Sequence, residues 1–252
     1  MMRDLWKGTP TAYKKNEYGV KKRLRSLLEA GFEPTNKVIL DLGAGACAYS
    51  KVMKAMGAAI VVSIDINRRT LSYASERLIN RIQCSASALP FRSDCFDCAL
   101  IIETLEHFPD DRLSISEAVR VLKSGAYLLL TVPNAFFPLE THGVRILSTD
   151  IENFLGIGIP FVSFFPNTIR KHVERARIYS IKTFTKLLSD FNLQIYARTY
   201  MMPPLDKIER GEIKMQSVNA SLTAAMRMVL AKIERTPLKI LGAHIIIVAG
   251  KD

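Results

Sequence analysis

The sequence predicts an α/β protein built on a doubly wound, mostly parallel sheet, and three observations predict it. Apolar runs of strand length alternate with segments of helical periodicity. Those runs are continuous rather than alternating, as strands covered on both faces must be. A Gly-x-Gly turn follows the first run, and a carboxylate ends the second about 20 residues later. The two stretches read Val38-Ile-Leu-Asp-Leu-Gly-Ala-Gly-Ala-Cys-Ala-Tyr-Ser50 and Val61-Val-Ser-Ile-Asp65. The glycines let the chain reverse tightly and bring bare backbone N–H groups to a ligand. The acid stands where it can accept hydrogen bonds from both hydroxyls of a ribose.

Residues 11–31 carry Tyr13, Tyr18, Val20, Leu24, Leu27 and Leu28 at helical spacing, with Gly31 where a helix would stop, so a helix is predicted beside the sheet. Strand 1 is then Val38–Leu42, and a helix begins after the glycines near Ala48. Strand 2 is read over Ala59–Ile64, a helix over Arg68–Arg77, strand 3 over Arg81–Cys84 and strand 4 over Cys98–Ile102. A helix over Leu113–Leu122 and strand 5 over Tyr127–Val132 complete the regular alternation. Crossovers in such a sheet are right-handed, and ligands bind outside the carboxyl ends of the strands, where Asp41, Asp65, Ser85 and Glu103 all fall. The pattern breaks at Pro133-Asn134 and resumes with a helix over Ser180–Asp190, strand 6 over Leu193–Tyr200 and a last strand over His244–Ala249. Two stretches, 135–179 and 201–242, are left as insertions.

A chain of 252 residues that is 48 % hydrophobic can bury one large core, and no second composition regime divides it. A single domain over 1–252 is expected. It comprises an N-terminal helical segment (1–35), a cofactor-binding core (36–134), a lid or substrate insertion (135–179) and a C-terminal part (180–252) with a helical insertion near 212–235. The start has no apolar segment of signal-peptide length, and no uncharged run reaches the roughly 18 residues of a membrane span. A cytoplasmic protein is therefore expected. Among the four cysteines, Cys95 and Cys98 have C-x-x-C spacing. A tetrahedral zinc site needs two further ligands, and neither Cys47 nor Cys84 brings a paired partner, so no metal is assigned. The net charge of +11 attracts polyanions: nucleic acid, anionic lipid or a phosphorylated substrate. Much of it is scattered along helix faces, as at Lys14, Lys15, Lys21, Lys22, Arg23 and Arg25, where a solvated surface accounts for it.

Gly43, Gly45 and Ala48 also fit the Gly-x-Gly-x-x-Gly/Ala pattern of a dinucleotide site, but Asp41 stands at the strand end where a nicotinamide enzyme carries an apolar residue. Further along come Ala88-Leu-Pro-Phe91, then Cys95-Phe-Asp97 leading into Cys98-Ala-Leu-Ile-Ile-Glu103, and Leu122-Lys-Ser-Gly125 before Ala126-Tyr-Leu-Leu-Leu-Thr-Val-Pro-Asn134. With these motifs in this order, residues 36–134 resemble the class I S-adenosylmethionine-dependent methyltransferases, in particular the small-molecule, type 11-like kind that includes quinone and sterol methyltransferases. The resemblance implies a Rossmann-like, seven-stranded doubly wound sheet with helices on both faces and strand 7 antiparallel beside strand 5. It also implies S-adenosyl-L-methionine as cofactor, held by Asp41, Gly43, Ala44, Gly45, Asp65, Ile66, Ser85, Ala86 and Glu103. Asp41 would hold the glycine loop or meet the cofactor ammonium through water. Two positions depart from the family pattern. Position 47, often a third glycine, is Cys, and position 85, commonly an Asp that meets the adenine amino group, is Ser, whose hydroxyl hydrogen-bonds without charge. Those two changes leave weaker cofactor binding or loss of activity open.

Glu103, Glu106 and His107 follow strand 4, on the side where the family builds its acceptor pocket. His107 is a candidate general base because an ordinary histidine titrates near neutrality, and Glu103 a candidate to orient an acceptor hydroxyl or the cofactor. The alternative for His107 is that it satisfies local backbone groups. His142, in Glu140-Thr-His142-Gly, is a third catalytic candidate; that stretch loosely resembles methyltransferases of glycan and glycolipid biosynthesis. Tyr13 and Tyr18 either close over the cofactor or pack as ordinary helix residues, the latter being favoured.

Residues Ile151 to Phe165 include Phe154, Leu155, Phe161, Phe164 and Phe165 without a Lys or Arg, and run into the basic stretch Arg170–Arg177. Such a segment suits docking to an anionic membrane or covering a lipid-linked acceptor. An apolar lid over the site followed by a solvated basic helix is the other reading. In the second insertion Val218, Leu222, Ala225, Met226, Val229, Leu230 and Ile233 mark one helix face, expected to pack against the protein rather than meet a membrane.

The sequence thus points to a transferase that methylates oxygen or carbon of a small, apolar or lipid- or glycan-linked acceptor. Expected partners are that acceptor and an anionic membrane surface, with a peripheral place at the inner face of the membrane; a homodimer is allowed for and nucleic acid is not expected. An RNA or protein methyltransferase is the first alternative, although Glu103-Thr-Leu-Glu106 stands where many amino-group methyltransferases have an Asn/Asp-Pro-Pro-Tyr/Phe tetrad. A non-catalytic binding or scaffold protein on the same fold is the second, and a nicotinamide enzyme the last.

Overall fold

The computed structural model describes residues 17–73, 79–140, 144–146, 149–151, 159–165, 167–170, 176–205 and 220–252. The chain forms two compact units. The first takes in the chain to Thr131 together with Lys186–Arg198 and Ile247–Asp252; the second takes in Val132–Thr185 and Thr199–Ile246. Unit 2 therefore gathers both stretches read from the sequence as insertions.

In unit 1, helix α1 (Glu17–Glu29) precedes strand β1 (Val38–Leu42), helix α2 (Ala48–Ala55), β2 (Ile60–Asp65), α3 (Arg68–Ser72) and β3 (Asn80–Gln83). Strand β4 (Phe96–Ile102), a 3-10 turn (Leu105–His107), α4 (Asp111–Val121) and β5 (Leu122–Pro133) follow. Strands β1 and β2 are parallel, as are β1 and β4, β2 and β3, and β4 and β5. Later in the chain come four short strands, β6 (Leu139–Glu140), β7 (Val144–Ile146), β8 (Thr149–Ile151) and β9 (Ile159–Pro160), then α5 (Asn167–Arg170) and α6 (Ile181–Leu188). Strand β10 (Leu193–Met201), α7 (Ala220–Ile233), a 3-10 turn (Pro237–Leu241) and β11 (His244–Lys251) complete the order. The main sheet has seven strands in the order β10-β11-β5-β4-β1-β2-β3, with β11 antiparallel. This is the doubly wound, Rossmann-like sheet that the sequence predicts, reversing strand order at β1 and β4.

The core strands are apolar because both faces are covered: Ile39, Leu40, Leu42, Leu100, Ile101, Leu128, Leu129 and Leu130 are fully buried. Helices α3, α4 and α6 are started by side chains at their heads. Asp110 accepts from Leu113 N (2.9 Å) at the head of α4, and Asn67 Oδ1 accepts from Arg69 N (3.0 Å) at the head of α3. Ser180 and Thr183 exchange side-chain-to-backbone bonds before α6. Residues 123–126 differ from expectation: the sequence starts strand 5 at Tyr127, and the structure makes them part of β5. Phe96 pairs with Leu122 and Cys98 with Tyr127, so the extra residues of β5 swell into a bulge, with Gly125 at φ 72°.

Unit 2 contains two small antiparallel pairs, β6 with β9 and β7 with β8. Its 3-10 turn Val162–Phe164 is fastened by Ser163 Oγ, which donates to Phe137 O (2.5 Å), while Phe161, Phe164 and Phe165 stay exposed. The rest of the aromatic segment, Phe154 and Leu155 included, lies outside the described residues, as do the centre of the basic stretch and Val218. Helix α7 corrects one expectation. Its apolar face was read as packing inward, yet Leu222, Ala225 and Val229 are exposed, while the polar Thr223 is buried. Helical periodicity marks a face but not the direction it points.

Candidate functional site

The glycine loop after β1 is tied to the end of β2 by two hydrogen bonds. Ala44 N donates to Ile64 O (2.8 Å), and Gly45 N donates to Asp65 Oδ2 (2.9 Å). The second carboxylate oxygen of Asp65 accepts from Asn67 N (2.8 Å), which fixes the acid at the start of α3. Each carboxylate oxygen has a further lone pair, so Asp65 positions the loop and still has acceptor capacity for a ligand. Gly43 (φ 70°) and Gly45 (φ 51°) adopt the left-handed backbone that the turn needs. A Cβ on Gly43 would fall 2.7 Å from Thr104, so this glycine also lets the β1 and β4 loops meet.

A cleft of about 250 Å³ opens at these strand ends. Gly43 and Thr104 form one side, Ile64 to Ile66 the end of β2, Cys84 to Ser87 the segment after β3, and His107 to Pro109 the loop after β4. Of the residues expected at the site, the fold brings Gly43, Asp65, Ile66, Ser85, Ala86 and His107 together here. Ile66 is 72 % exposed, an apolar side chain held at the rim beside an acid. Ser85 Oγ accepts from Ser87 N (3.2 Å), which closes the turn after β3.

The other expected residues stand apart from this lining. Asp41 is buried beneath the loop and accepts from Ser50 Oγ (2.6 Å), which in turn lies 2.6 Å from Ser63 Oγ. Burial pushes its carboxyl up to about 6, against the lowering effect of the Ser50 bond. Ala44 is buried with Cys47, Leu71 and Ile79 behind the loop. Cys47, where the family often has glycine, occupies a left-handed conformation (φ 61°, ψ 34°) at the head of α2, which is the backbone reason for a glycine there.

Glu103 has φ 55°, an uncommon value for a residue with a Cβ. Its N–H donates to Thr131, its Oε1 accepts from Thr131 Oγ1 (2.7 Å), and Arg23 of α1 lies 3.6 Å from Oε2. Glu103 therefore joins α1 to the ends of β4 and β5. His107 is half exposed, with Nε2 4.0 Å from Glu106 Oε1. His142 and Tyr13 lie outside the described residues, and Tyr18 sits in α1 with Lys22 over its ring. Cys98 is buried in β4, and Cys95 Sγ donates to Arg92 O (3.1 Å). Sequence reasoning missed Thr104, Ser87, Phe108 and Pro109. Of these, only the apolar pair after His107 left a mark in the sequence, and Thr104 becomes visible only through the glycine it touches.

The fold and the loop geometry define an α/β protein whose cleft lies at the carboxyl ends of the strands, where such folds take their ligands. Residues 40–130 match the family model described as a methyltransferase domain. Over these residues the chain matches the class I S-adenosylmethionine-dependent methyltransferases of the small-molecule, type 11-like kind, and S-adenosylmethionine is the cofactor that this match and the fold imply. It is 33 % identical over 116 residues to a ubiquinone/menaquinone biosynthesis C-methyltransferase of Cellvibrio japonicus, a match covering 42 % of this chain and 47 % of the relative. It is 28 % identical over 136 residues to a tRNA (carboxymethyluridine(34)-5-O)-methyltransferase of Arabidopsis thaliana, covering 52 % of this chain and 33 % of that one. The matches span less than half the length of these two relatives. An S-adenosylmethionine-dependent methyltransferase from Mesorhizobium loti has the same fold, with a TM-score of 0.60 at 15 % identity over 90 % of this chain and 96 % of that one.

The residues of the cleft suit this cofactor. Asp65 offers a carboxylate to a ribose, Ile66 and Ala86 offer apolar surface to a flat base, and the Ser85 hydroxyl lies within the same cleft. Gly45 has open space where a Cβ would stand, which leaves room beside the loop.

Proposed function

We infer that this chain methylates oxygen or carbon of a small, apolar or lipid- or glycan-linked acceptor. The observation that carries the reading is the convergence of Gly43, Asp65, Ile66, Ser85, Ala86 and His107 on one cleft. When bound, S-adenosylmethionine supplies a methyl group already activated by a sulfonium charge. The work left to the protein is to bind, orient and exclude water. In this reading Asp65 orients the ribose, the amides near Gly43 and Gly45 meet the amino-acid end, and Ile66 and Ala86 cover the base. Asp41 acts from beneath by holding α2 to the strand ends through Ser50. His107, half exposed at the cleft, takes the proton from an acceptor hydroxyl or carbon acid. Glu103 holds α1 over the strand ends through Arg23 and acts as a positioning residue. His142 is assigned to the acceptor side on the sequence alone. The exposed Phe161, Phe164 and Phe165, followed by basic residues from Arg170 on, support an apolar acceptor met at an anionic membrane surface. None of the helices among the described residues is long and apolar enough to cross a membrane.

Calorimetric titration with S-adenosylhomocysteine tests the reading, with Asp65→Ala as control. Binding by the wild type that disappears in the variant is the expected result, and its absence from both moves the chain to a non-catalytic role. A tRNA acceptor is the second reading, favoured by the tRNA methyltransferase relative and the +11 charge. Tight RNA binding whose affinity falls steeply with salt would select it over the small-molecule acceptor.

A further inference from the structure

Helix α7 and the turn that follows it hold several apolar side chains outward, while Thr223 is buried and Arg227 and Glu234 are half-buried. In α7, Arg227 Nε donates to Pro204 O (2.9 Å), and just beyond its end Glu234 accepts from Met202 N (2.6 Å). Met228 and Val229, by contrast, are 66 % and 57 % exposed. The turn Pro237–Leu241 repeats the arrangement. Its start is capped by Thr236, whose Oγ1 accepts from Leu238 N, and its end is stapled by the buried Asn134, whose Nδ2 donates to Ile240 O (2.8 Å) and Gly242 O (2.7 Å). With the backbone fastened, Leu238, Ile240 and Leu241 project outward and remain exposed. With Leu222, six large apolar side chains therefore stand in water on a segment whose backbone is held in place, an arrangement that marks an interaction surface.

The charges beside them indicate the partner. Lys232, Arg235 and Lys239 are exposed, and the only acid between residues 220 and 243 is Glu234, whose carboxylate is already used on Met202 N. A two-fold pairing of this face with a second copy would bring three cations against three cations. An anionic lipid surface satisfies both components at once, taking the apolar side chains at the acyl boundary and the cations at the headgroups. We propose that the α7 face and the Pro237–Leu241 turn form a docking surface for an anionic lipid bilayer. This surface involves none of the cleft residues, so it stands independently of the methyl-transfer reading.

The intact chain is sedimented with sucrose-loaded vesicles of phosphatidylcholine alone, or of phosphatidylcholine mixed with phosphatidylglycerol. The surface predicts sedimentation with the anionic vesicles that weakens as salt rises. Combining Lys232→Gln, Arg235→Gln and Lys239→Gln lowers partitioning roughly five-fold per cation. Combining Leu238→Ser, Ile240→Ser and Leu241→Ser abolishes it even at low salt; these side chains are exposed, so circular dichroism and melting should remain those of the wild type. Equal sedimentation with both vesicle types, or binding that survives both sets of substitutions, overturns the proposal. Dimerisation in light scattering that the apolar variant abolishes, without vesicle binding, reassigns the face to a second copy. A parallel S-adenosylhomocysteine titration keeps a failure of the cofactor site separate from a failure of this surface.

Discussion

Asp41 and Gly43 each give the loop after β1 a measurable property. The buried Asp41 carboxyl is raised from 3.8 to about 6, so between those values the native protein holds a proton that the unfolded chain releases. This residue therefore adds no penalty below about pH 4, and its ionisation costs roughly 3 kcal/mol once pH passes above 6. Asp41→Asn should remove that dependence, so the Tm difference between acidic and neutral buffer, read by thermal melts, should shrink relative to the wild type. Gly43→Ala should destabilise by about 2 kcal/mol or more, because it places a Cβ at positive φ against Thr104, and a urea midpoint reports it. At this scale the sequence was most informative where chemistry is local. Asp65 was legible because it ends an apolar run about 20 residues after a Gly-x-Gly turn. The Asp41–Ser50–Ser63 chain and the Arg23–Glu103 pair were not, since each joins residues that only the fold brings together.

Elements depend on a few polar side chains at their ends. Asp110→Ala removes the cap of α4 and should cost about 1 kcal/mol, seen as a lower unfolding midpoint with the helix otherwise retained. Asn134→Ala strips two carbonyls of the Pro237–Leu241 turn of their donor and should cost about 1–3 kcal/mol. Hydrogen exchange should show the loss concentrated at residues 240–243. Strands β1, β2 and β4 were legible because continuous Val, Ile and Leu runs have few alternatives in an α/β chain. The bulge in β5 was not, because Lys-Ser-Gly has the composition of a loop and only its pairing with β4 makes it strand. Helix α7 was legible as a helix but not in its orientation, which Arg227, Glu234 and Thr223 set by facing inward.

For the whole molecule, a ligand that binds only the folded chain must raise its melting temperature. At about 100 times its Kd, S-adenosylhomocysteine should add about 2.7 kcal/mol and raise Tm by roughly 5–10 °C, and Asp65→Ala should abolish that rise. The sheet class was visible from the alternation of strand and helix, whereas the division into two units was not, because composition is uniform along the chain while contacts are not. The strand order has a consequence for biosynthesis. Strand β11, the last in chain order, lies between β10 and β5 inside the sheet. A nascent chain that has emerged only as far as residue 243 therefore presents the open edge of β5, with its row of unpaired N–H and carbonyl groups. A nascent chain arrested with residues 244–251 still inside the ribosome should be one that chaperones recognise, and emergence of those residues is the event that closes the sheet.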